Sequence, residues 1–292
     1  MLILATGYVD YELAWLPPKG PKVPLSTSVV FFALNFAAMS TLVYSLLRFA
    51  FSEREKSRMR LEEAHAGLRD EQERSETLLL NVLPAPVAER LKRLESPIAD
   101  RFTEVTVMFA DIVNFTRMAG MLEPAQIFSL LNRLFSDFDA LAEKHGLEKI
   151  KTIGDAYMVA GGLNAGQARQ CEAIAELALS MRALTERDYE VNGQPLQLRI
   201  GFASGPVVAG VVGTKKFIYD LWGDTVNVAS RLTSESEPGG IQVDERSFQI
   251  LASGYGFEAP RTLNLKGKGY TTVYELRGRI GDGEDEDALR AA

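Results

Sequence analysis

The sequence predicts an α+β fold in which the elements follow the order β-α-β-β-α-β, the ferredoxin-like split arrangement. Apolar runs typical of strands occupy residues 105–109, 149–159, 196–203 and 207–212. Two long stretches have helical periodicity. The first, 124–145, lies between the first strand and the hairpin at 149–159, and the second, 167–189, lies between that hairpin and the later strands. A further helix is predicted at 224–236, and smaller elements continue to about residue 277.

Length and composition allow one large domain or two smaller ones, since the chain has 292 residues and 46% of them are hydrophobic. The formal net charge of −7 argues against a nucleic-acid partner, because sequence-independent binders of nucleic acid carry an excess of positive charge. Cys171 is the single cysteine, which excludes an intrachain disulfide framework and a multi-cysteine zinc site. His65 and His145 are too few to indicate a zinc or haem centre.

The N-terminal part predicts a membrane span at 23–47, a stretch without a charged residue. As a helix it would reach roughly 37 Å, enough to cross the hydrocarbon core with some tilt. The alternative is a buried helix of a soluble domain, which seldom runs this long without a charge. Basic residues are more frequent just after the span than before it, so residues 48 onward are expected in the cytoplasm and the protein at the cell membrane. Residues 1–22 are interpreted as an extracytoplasmic loop or the end of a preceding span, and whether the chain belongs to a larger multi-span protein stays open.

Residues 48–95 predict a cytosolic helical linker between the span and a catalytic domain at 100–278. Its apolar residues follow a 3/4 spacing typical of a short two-stranded coiled coil, weakened in the middle by Glu71 and Ser75. A solvated single helix is the alternative. Pro84 and Pro86 interrupt the pattern and predict a hinge near Pro84. The acidic tail, 279–292, is predicted to be disordered.

Two carboxylates predict a divalent-metal site. Asp111 ends the strand predicted at 104–110, and Asp155 follows Gly154 in a dipeptide typical of a hairpin turn. Each alone is well explained as a solvated turn carboxylate. Together, at the ends of two strands, they match the hard oxygen ligands that Mg²⁺ and Mn²⁺ prefer.

A third group of residues precedes and enters the helix predicted at 224–236. Asp224 is predicted as its N-cap, which places Asn227 and Arg231 one turn apart on the same face. An amide and a guanidinium directed at one point suit the stabilisation of charge on a transferring phosphoryl group. An ordinary surface helix is the alternative, and Asp220 is expected in the loop before the helix.

Four motifs occur in the chain in this order: ADIVNFT, EKIKTIGDAYM, YDLWGDTVNVASR and LKGKG. In sequence and separation they resemble the class III nucleotidyl cyclases, and the resemblance covers roughly 103–276. The nearest likeness is to the bacterial membrane-bound adenylyl cyclases related to the mammalian enzymes. The stretch ETLLLNVLPAPVAERLK is similar to the helical linker that precedes the catalytic domain in many members.

The resemblance implies a site for two Mg²⁺ or Mn²⁺ ions. It assigns Asp111 and Asp155 as ligands of both metals and adds the carbonyl oxygen of Ile112. The backbone from Ile112 to Thr116, which includes Phe115, is expected to hold the triphosphate.

The resemblance also implies which nucleotide is bound, because Lys151 and Asp220 match the pair that reads the purine. Adenine presents an N1 acceptor and an N6 donor, which a Lys donor and an Asp acceptor complement. Guanine presents the opposite pattern, so this pair predicts ATP rather than GTP as substrate.

The remaining assignments concern the ribose and the phosphates. By resemblance Asn227 orients the ribose and Arg231 stabilises the pentavalent phosphorus. Arg199 and Lys266 fall where the family holds the β- and γ-phosphates. The function implied is conversion of ATP to 3′,5′-cyclic AMP and pyrophosphate, with active sites shared between the two subunits of a homodimer.

Two alternatives stay open. A guanylyl cyclase would by resemblance have Glu at position 151 and a small residue or Cys at position 220, and the sequence has neither. A catalytically silent receptor or dimerisation module is the other, although the metal and transition-state residues match the active pattern. A cyclic-dinucleotide synthase of the GGDEF type is disfavoured, since that motif does not occur.

Overall fold

The computed structural model describes residues 24–163, 169–191, 193–213 and 215–281. The chain divides between Leu79 and Leu80 into two units. Helix α1 (Leu25–Leu80) makes up nearly all of the first unit and buries none of its residues. Among the described residues it is the one helix long and apolar enough to be a candidate membrane span, by length and composition. Residues 25–47 of the predicted apolar span therefore lie in the N-terminal half of a single long helix.

The helix is interrupted near Pro84, where a hinge is predicted: α1 ends at Leu80, and a second helix, α2 (Ala85–Lys92), begins immediately after Pro84. Pro86 lies in the first turn of α2, where a missing amide hydrogen disturbs no intrahelical bond. Arg90 of α2 donates to Asp100 at 2.5 Å and to Glu95 at 2.9 Å. The pair with Asp100 ties the short helix to the first strand of the second unit.

In the described part of the chain, the second unit contains a nine-stranded sheet that is flanked by helices. Its strands are β1 (Ala99–Ile112), β2 (Glu148–Ile153), β3 (Ala156–Gly161), β6 (Leu198–Val212), β7 (Ile218–Trp222), β8 (Ile241–Asp244), β9 (Tyr255–Phe257), β10 (Arg261–Leu265) and β11 (Gly269–Arg279). Its helices are α3 (Phe115–Ala119), α4 (Pro124–Lys144), α5 (Gln170–Asp188), α6 (Asp224–Glu235) and α7 (Glu245–Leu251). Strands β4 (Glu190–Val191) and β5 (Gln194–Pro195) form a separate small ribbon.

The predicted β-α-β-β-α-β order is confirmed. The strands of that repeat are arranged in space as β6-β1-β3-β2, with antiparallel pairing between all neighbours. Strand β8 extends this sheet by parallel pairing with β6, and β7 pairs antiparallel with the other part of β6.

Successive side chains of β1 point to opposite faces of the sheet and so belong to two separate hydrophobic cores. Met108, Ala110 and Ile112 pack with residues of α4 and α5 on one side of the sheet. Val107 and Phe109 pack on the other side with residues of α6, among them Ala229 and Leu232. Both faces of the sheet are therefore buried, one against α4 and α5 and the other against α6.

The observed elements differ from the predicted ones in three places. The two strands expected at 196–203 and 207–212 are one long strand, β6, which continues through Gly205 and Pro206. Asp220, expected in a loop, lies in β7, whose pairing with β6 the local sequence does not reveal. The N-cap of α6 is Gly223, and Asp224 is the first helical residue. The residues of the predicted disordered tail from 282 onward lie outside the described part of the chain.

Candidate active site

The acidic pair lies where two neighbouring strands end. Asp111 is the penultimate residue of β1, and Asp155 occupies the turn between β2 and β3 after Gly154, whose φ of 63° suits a tight turn. The Asp155 carboxyl is within hydrogen-bonding reach of Asp111. Burial first, and then the neighbouring Asp155 charge, raise the pKa of Asp111 to about 6. The structure therefore brings the two predicted metal ligands together.

Arg199 faces this pair from the adjacent strand. It is the register partner of Asp111 across β1 and β6, and its positive charge acts to lower the pKa of Asp111. The Nε atom of Arg199 is buried and has no hydrogen-bond partner among the described residues. A guanidinium Nε without a partner leaves donor capacity for an anionic ligand.

The donor set fits a divalent cation. Two half-buried carboxylates that lie side by side are stabilised as anions by a hard cation, which binds oxygen ligands. No cluster of three or more His, Cys, Asp or Glu able to hold a metal occurs in the described residues. The protein thus offers two carboxylates rather than a closed cage, as in sites where substrate phosphates supply further ligands.

The segment after the acidic strand turns sharply. Ile112 is buried, Asn114 adopts the left-handed conformation with φ of 57°, and the short helix α3 starts at Phe115. Phe115 packs in part against the core, while Thr116 is exposed. The Val113 amide donates to the carbonyl of Gln197 at 3.0 Å, whereas the first amide groups of α3 have no intrahelical acceptor and are available for oxygen ligands.

Lys151 and Asp220 meet although 69 residues separate them in the sequence. Lys151 in β2 donates from Nζ to Asp220 Oδ2 in β7 at 2.5 Å. The lysine side chain is 33% exposed and the aspartate 15%, so the pair is reachable but largely desolvated. The backbone amide of Leu221 donates to the other oxygen, Oδ1, at 2.8 Å and fixes the carboxylate.

Helix α6 presents Asn227 and Arg231 one turn apart, as predicted from their spacing; Asn227 is exposed and Arg231 half-buried. The turn between β10 and β11 lies over this helix. An added Cβ at Gly267 of that turn would be 3.6 Å from Nη2 of Arg231. Lys266, at the start of the turn, is exposed.

Lys268 is a residue of this turn that the sequence analysis missed. Its ammonium pairs with the carboxylate of Asp224 at the first position of α6. The signal was present, since LKGKG contains two lysines, but only the fold shows that the second one pairs with a residue of α6. The ion pair ties the β10–β11 turn to the start of α6.

The predicted site residues thus fall into two groups within one chain. The acidic group consists of Asp111, Asp155 and Arg199. The second group consists of the Lys151–Asp220 pair together with Asn227 and Arg231 of α6. Across the described ranges, no hydrogen bond or ion pair joins the acidic group to the second group.

Comparison with known proteins places this fold in a family. The family model described as adenylate and guanylate cyclase catalytic domain matches residues 98–278. An adenylate cyclase of Mycobacterium tuberculosis (strain ATCC 25618 / H37Rv) is 42% identical over 264 residues, which are 90% of this chain and 58% of that protein. The chain therefore spans little more than half the length of this relative.

Solved structures agree with the family model. The guanylate cyclase domain of RhGC from Catenaria anguillulae, in complex with GTP, is 32% identical with a TM-score of 0.59; the match covers 62% of this chain and 99% of that one. The adenylyl cyclase CyaB from P. aeruginosa is 26% identical with a TM-score of 0.58, over 64% and 99% of the two chains. The resemblance to the class III nucleotidyl cyclases is confirmed: the chain belongs to the adenylate and guanylate cyclase catalytic domain family.

Proposed function

We propose that the protein converts ATP to 3′,5′-cyclic AMP and pyrophosphate. The observation that carries this proposal is the Lys151–Asp220 pair, formed at 2.5 Å between β2 and β7. A lysine donor can serve the N1 acceptor of adenine, and an aspartate acceptor can serve its N6 amino group. The N1 hydrogen and O6 oxygen of guanine meet that pair with the opposite polarity, so GTP is the poorer substrate. The adenylate cyclase named above supports the same assignment by its identity of 42%.

Asp111 and Asp155 would hold the two Mg²⁺ or Mn²⁺ ions, with the Ile112 carbonyl as a further oxygen ligand. When bound, such ions lower the pKa of the ribose 3′-hydroxyl and neutralise the triphosphate. The half-buried carboxylate pair and the unsatisfied Arg199 Nε support this role. The backbone through Phe115 and Thr116 would receive the triphosphate on free amide groups.

The remaining residues act on the nucleotide directly. In the reaction the ribose 3′-oxygen attacks the α-phosphorus, and the bond from that phosphorus to pyrophosphate breaks. Asn227 would orient the ribose, and Arg231 would stabilise the negative charge that develops on the α-phosphoryl oxygens. Arg199 and Lys266 would hold the β- and γ-phosphates by charge-assisted hydrogen bonds.

The division of these residues into two groups supports a homodimer with shared sites. Across the described residues of one chain, no hydrogen bond or ion pair joins the acidic group to the second group, so one copy would supply the metal ligands and the other copy the purine pair and α6. Apolar side chains remain exposed on the β6–β7 pair, at the ladder positions Val208–Trp222 and Val212–Ile218. Exposed apolar residues grouped in this way are typical of a protein interface.

The N-terminal helix supports attachment to a membrane. We assign residues 23–47 to a transmembrane segment in the cell membrane, 48–95 to a signalling linker and 100–278 to a cytoplasmic catalytic domain. Residues 1–22, assigned to an extracytoplasmic loop or the end of a preceding span, lie outside the described residues, as do residues 282–292 of the acidic tail assigned to 279–292. The basic residues that follow the span favour this orientation.

Identification of the cyclic product tests the proposed reaction. The full chain, purified in detergent, is incubated with Mn²⁺ and either ATP or GTP, and the nucleotides are separated by chromatography. The proposal predicts cyclic AMP as the dominant product. Dominant cyclic GMP would reverse the purine assignment, and the absence of either product would favour a silent dimerisation module.

A further inference from the structure

Helix α6 approaches strand β6 more closely than side chains normally allow. A Cβ added to Gly201 would lie 2.3 Å from the backbone nitrogen of Thr233 and 2.7 Å from the carbonyl carbon of Leu232. The atoms in the way belong to the helix backbone, which cannot rotate aside as a flexible side chain can. The last turns of α6 therefore rest directly on the β6 backbone.

The first turn of α6 is fixed to the same strand by a hydrogen bond. The hydroxyl of Thr225 donates to the carbonyl of Pro206 at 2.9 Å, and Thr225 is 6% exposed. Gly205 makes room for that hydroxyl, because an added Cβ there would lie 2.6 Å from Thr225 Oγ1. A buried hydroxyl that donates to one well-placed acceptor fixes the distance of the helix end from the strand and its rotation about the helix axis.

These contacts lie on the face of α6 opposite to the face that carries Asn227 and Arg231. Thr225, Ala229 and Thr233 recur every four residues and are buried, whereas Asn227 is exposed and Arg231 is half-buried. The register of the buried face on β6 thus determines where the amide and the guanidinium are held. Lys151 and Asp220 lie on β2 and β7 and are held by their own ion pair, outside the buried face of α6.

We infer that Gly201 and Thr225 are positioning residues for the cyclisation step: they set the depth and rotation of α6, and so the place of Asn227 and Arg231 against the α-phosphoryl group. The inference rests on the proposed function. Because the purine and the metals are bound elsewhere, a displaced α6 slows the chemical step and leaves nucleotide binding nearly unchanged.

The Gly201→Ala variant tests the closer of the two contacts. To restore ordinary van der Waals distance the helix and strand backbones must separate by roughly 1 Å. A misplacement of that size costs about 100-fold in rate, so kcat should fall by about that factor while KM for ATP stays within about twofold. Gly278→Ala is the matched control, since Gly278 lies in strand β11 and an added Cβ there meets nothing within 4 Å. The control should keep the wild-type kcat and KM.

Thr225 gives an independent measurement in case Gly201→Ala does not fold. Thr225→Val keeps the shape and loses the hydroxyl, and should lower kcat on the order of tenfold because a buried hydrogen bond is lost. Thr225→Ser restores the hydroxyl and should recover most of kcat. Thermal unfolding, followed by circular dichroism, shows which variants are folded at the assay temperature.

The outcomes separate this inference from the proposed function. If the wild-type chain forms no cyclic nucleotide, the proposed function fails and the inference fails with it. If the wild type is active and the folded Gly201→Ala or Thr225→Val variant keeps its kcat, or loses activity only through KM, the inference alone is wrong. A product of cyclic GMP changes the substrate but leaves the comparison of kcat and KM valid with GTP.

Discussion

The Lys151 ammonium and the Asp220 carboxylate satisfy each other at 2.5 Å in the free chain, across the space between β2 and β7. A purine must therefore compete for both groups when it binds. A base that offers an acceptor to the lysine and a donor to the aspartate replaces one ion pair by two hydrogen bonds. A base with the reversed pattern leaves both groups unpaired, and each unpaired buried group costs about 1–3 kcal/mol.

Reversal of this pair should weaken the use of ATP. In the double variant Lys151→Glu with Asp220→Cys, we expect kcat/KM for ATP to fall by at least about tenfold, since at least one buried hydrogen bond to adenine is lost. Steady-state kinetics with ATP and GTP measure the change. Lys144→Glu is the control, because that exposed lysine lies at the end of α4 and should leave both substrates unaffected. Undiminished ATP activity in the double variant would show that the pair does not read the base.

Removal of either metal ligand should abolish cyclisation. We expect Asp111→Ala and Asp155→Ala to lower activity at least about 100-fold, because a bound divalent ion contributes several kcal/mol of charge stabilisation. Both residues are half-buried at strand ends, so the fold should persist and circular dichroism should be unchanged. Asp188→Ala is the control, since Asp188 ends α5 in an ion pair with exposed Arg187. Retention of more than about 5% of activity in either ligand variant would count against the metal site.

Chelation gives a second test of the same site without mutation. EDTA should remove the activity of the wild-type chain, and excess Mn²⁺ or Mg²⁺ should restore it. Activity that survives exhaustive chelation would mean that Asp111 and Asp155 serve another purpose.

The sequence was most informative where local patterns decide structure. The strand that ends at Asp111, the turn at Gly154 and the face shared by Asn227 and Arg231 are each set by neighbours a few residues away. Two of the wrong predictions, the break in β6 and the loop at Asp220, concern contacts at long range, whereas the N-cap of α6 differs by a single residue. Asp220 was expected in a loop because the pairing of β7 depends on the far part of β6.

Other features of the site depend on backbone approach, which side-chain patterns do not encode. In the sequence, nothing distinguishes Gly201 from an ordinary strand glycine. Only the packing of α6 on β6 shows why a Cβ is excluded there. Lys268 reads as a second basic residue in LKGKG, and its pairing with Asp224 follows from how β10 and β11 lie over α6. Separate strands were predicted at 196–203 and 207–212, yet β6 continues through Gly205 and Pro206 between them.

The helical linker offers a test of coupling between the span and the catalytic domain. Glu71 and Ser75 interrupt the apolar positions of α1, so replacing both with Leu should strengthen pairing of two linkers. We expect greater self-association of the chain in detergent and a changed basal cyclase activity. Glu73→Leu, at a position outside the predicted seam, is the matched control. If neither association nor activity differs from wild type, the linker is a passive tether.

Complementation between two inactive variants tests most directly whether each site is built from two copies of the chain. Asp111→Ala removes one group and Asn227→Ala the other, so a mixed dimer holds one site with both defects and one with none. Random mixing makes half of the dimers mixed, and we therefore expect recovery to about one quarter of wild-type specific activity. Each variant alone should stay nearly inactive at every protein concentration. Recovery to about that level supports sites shared between subunits, whereas no recovery in a sample shown to contain mixed dimers would contradict them.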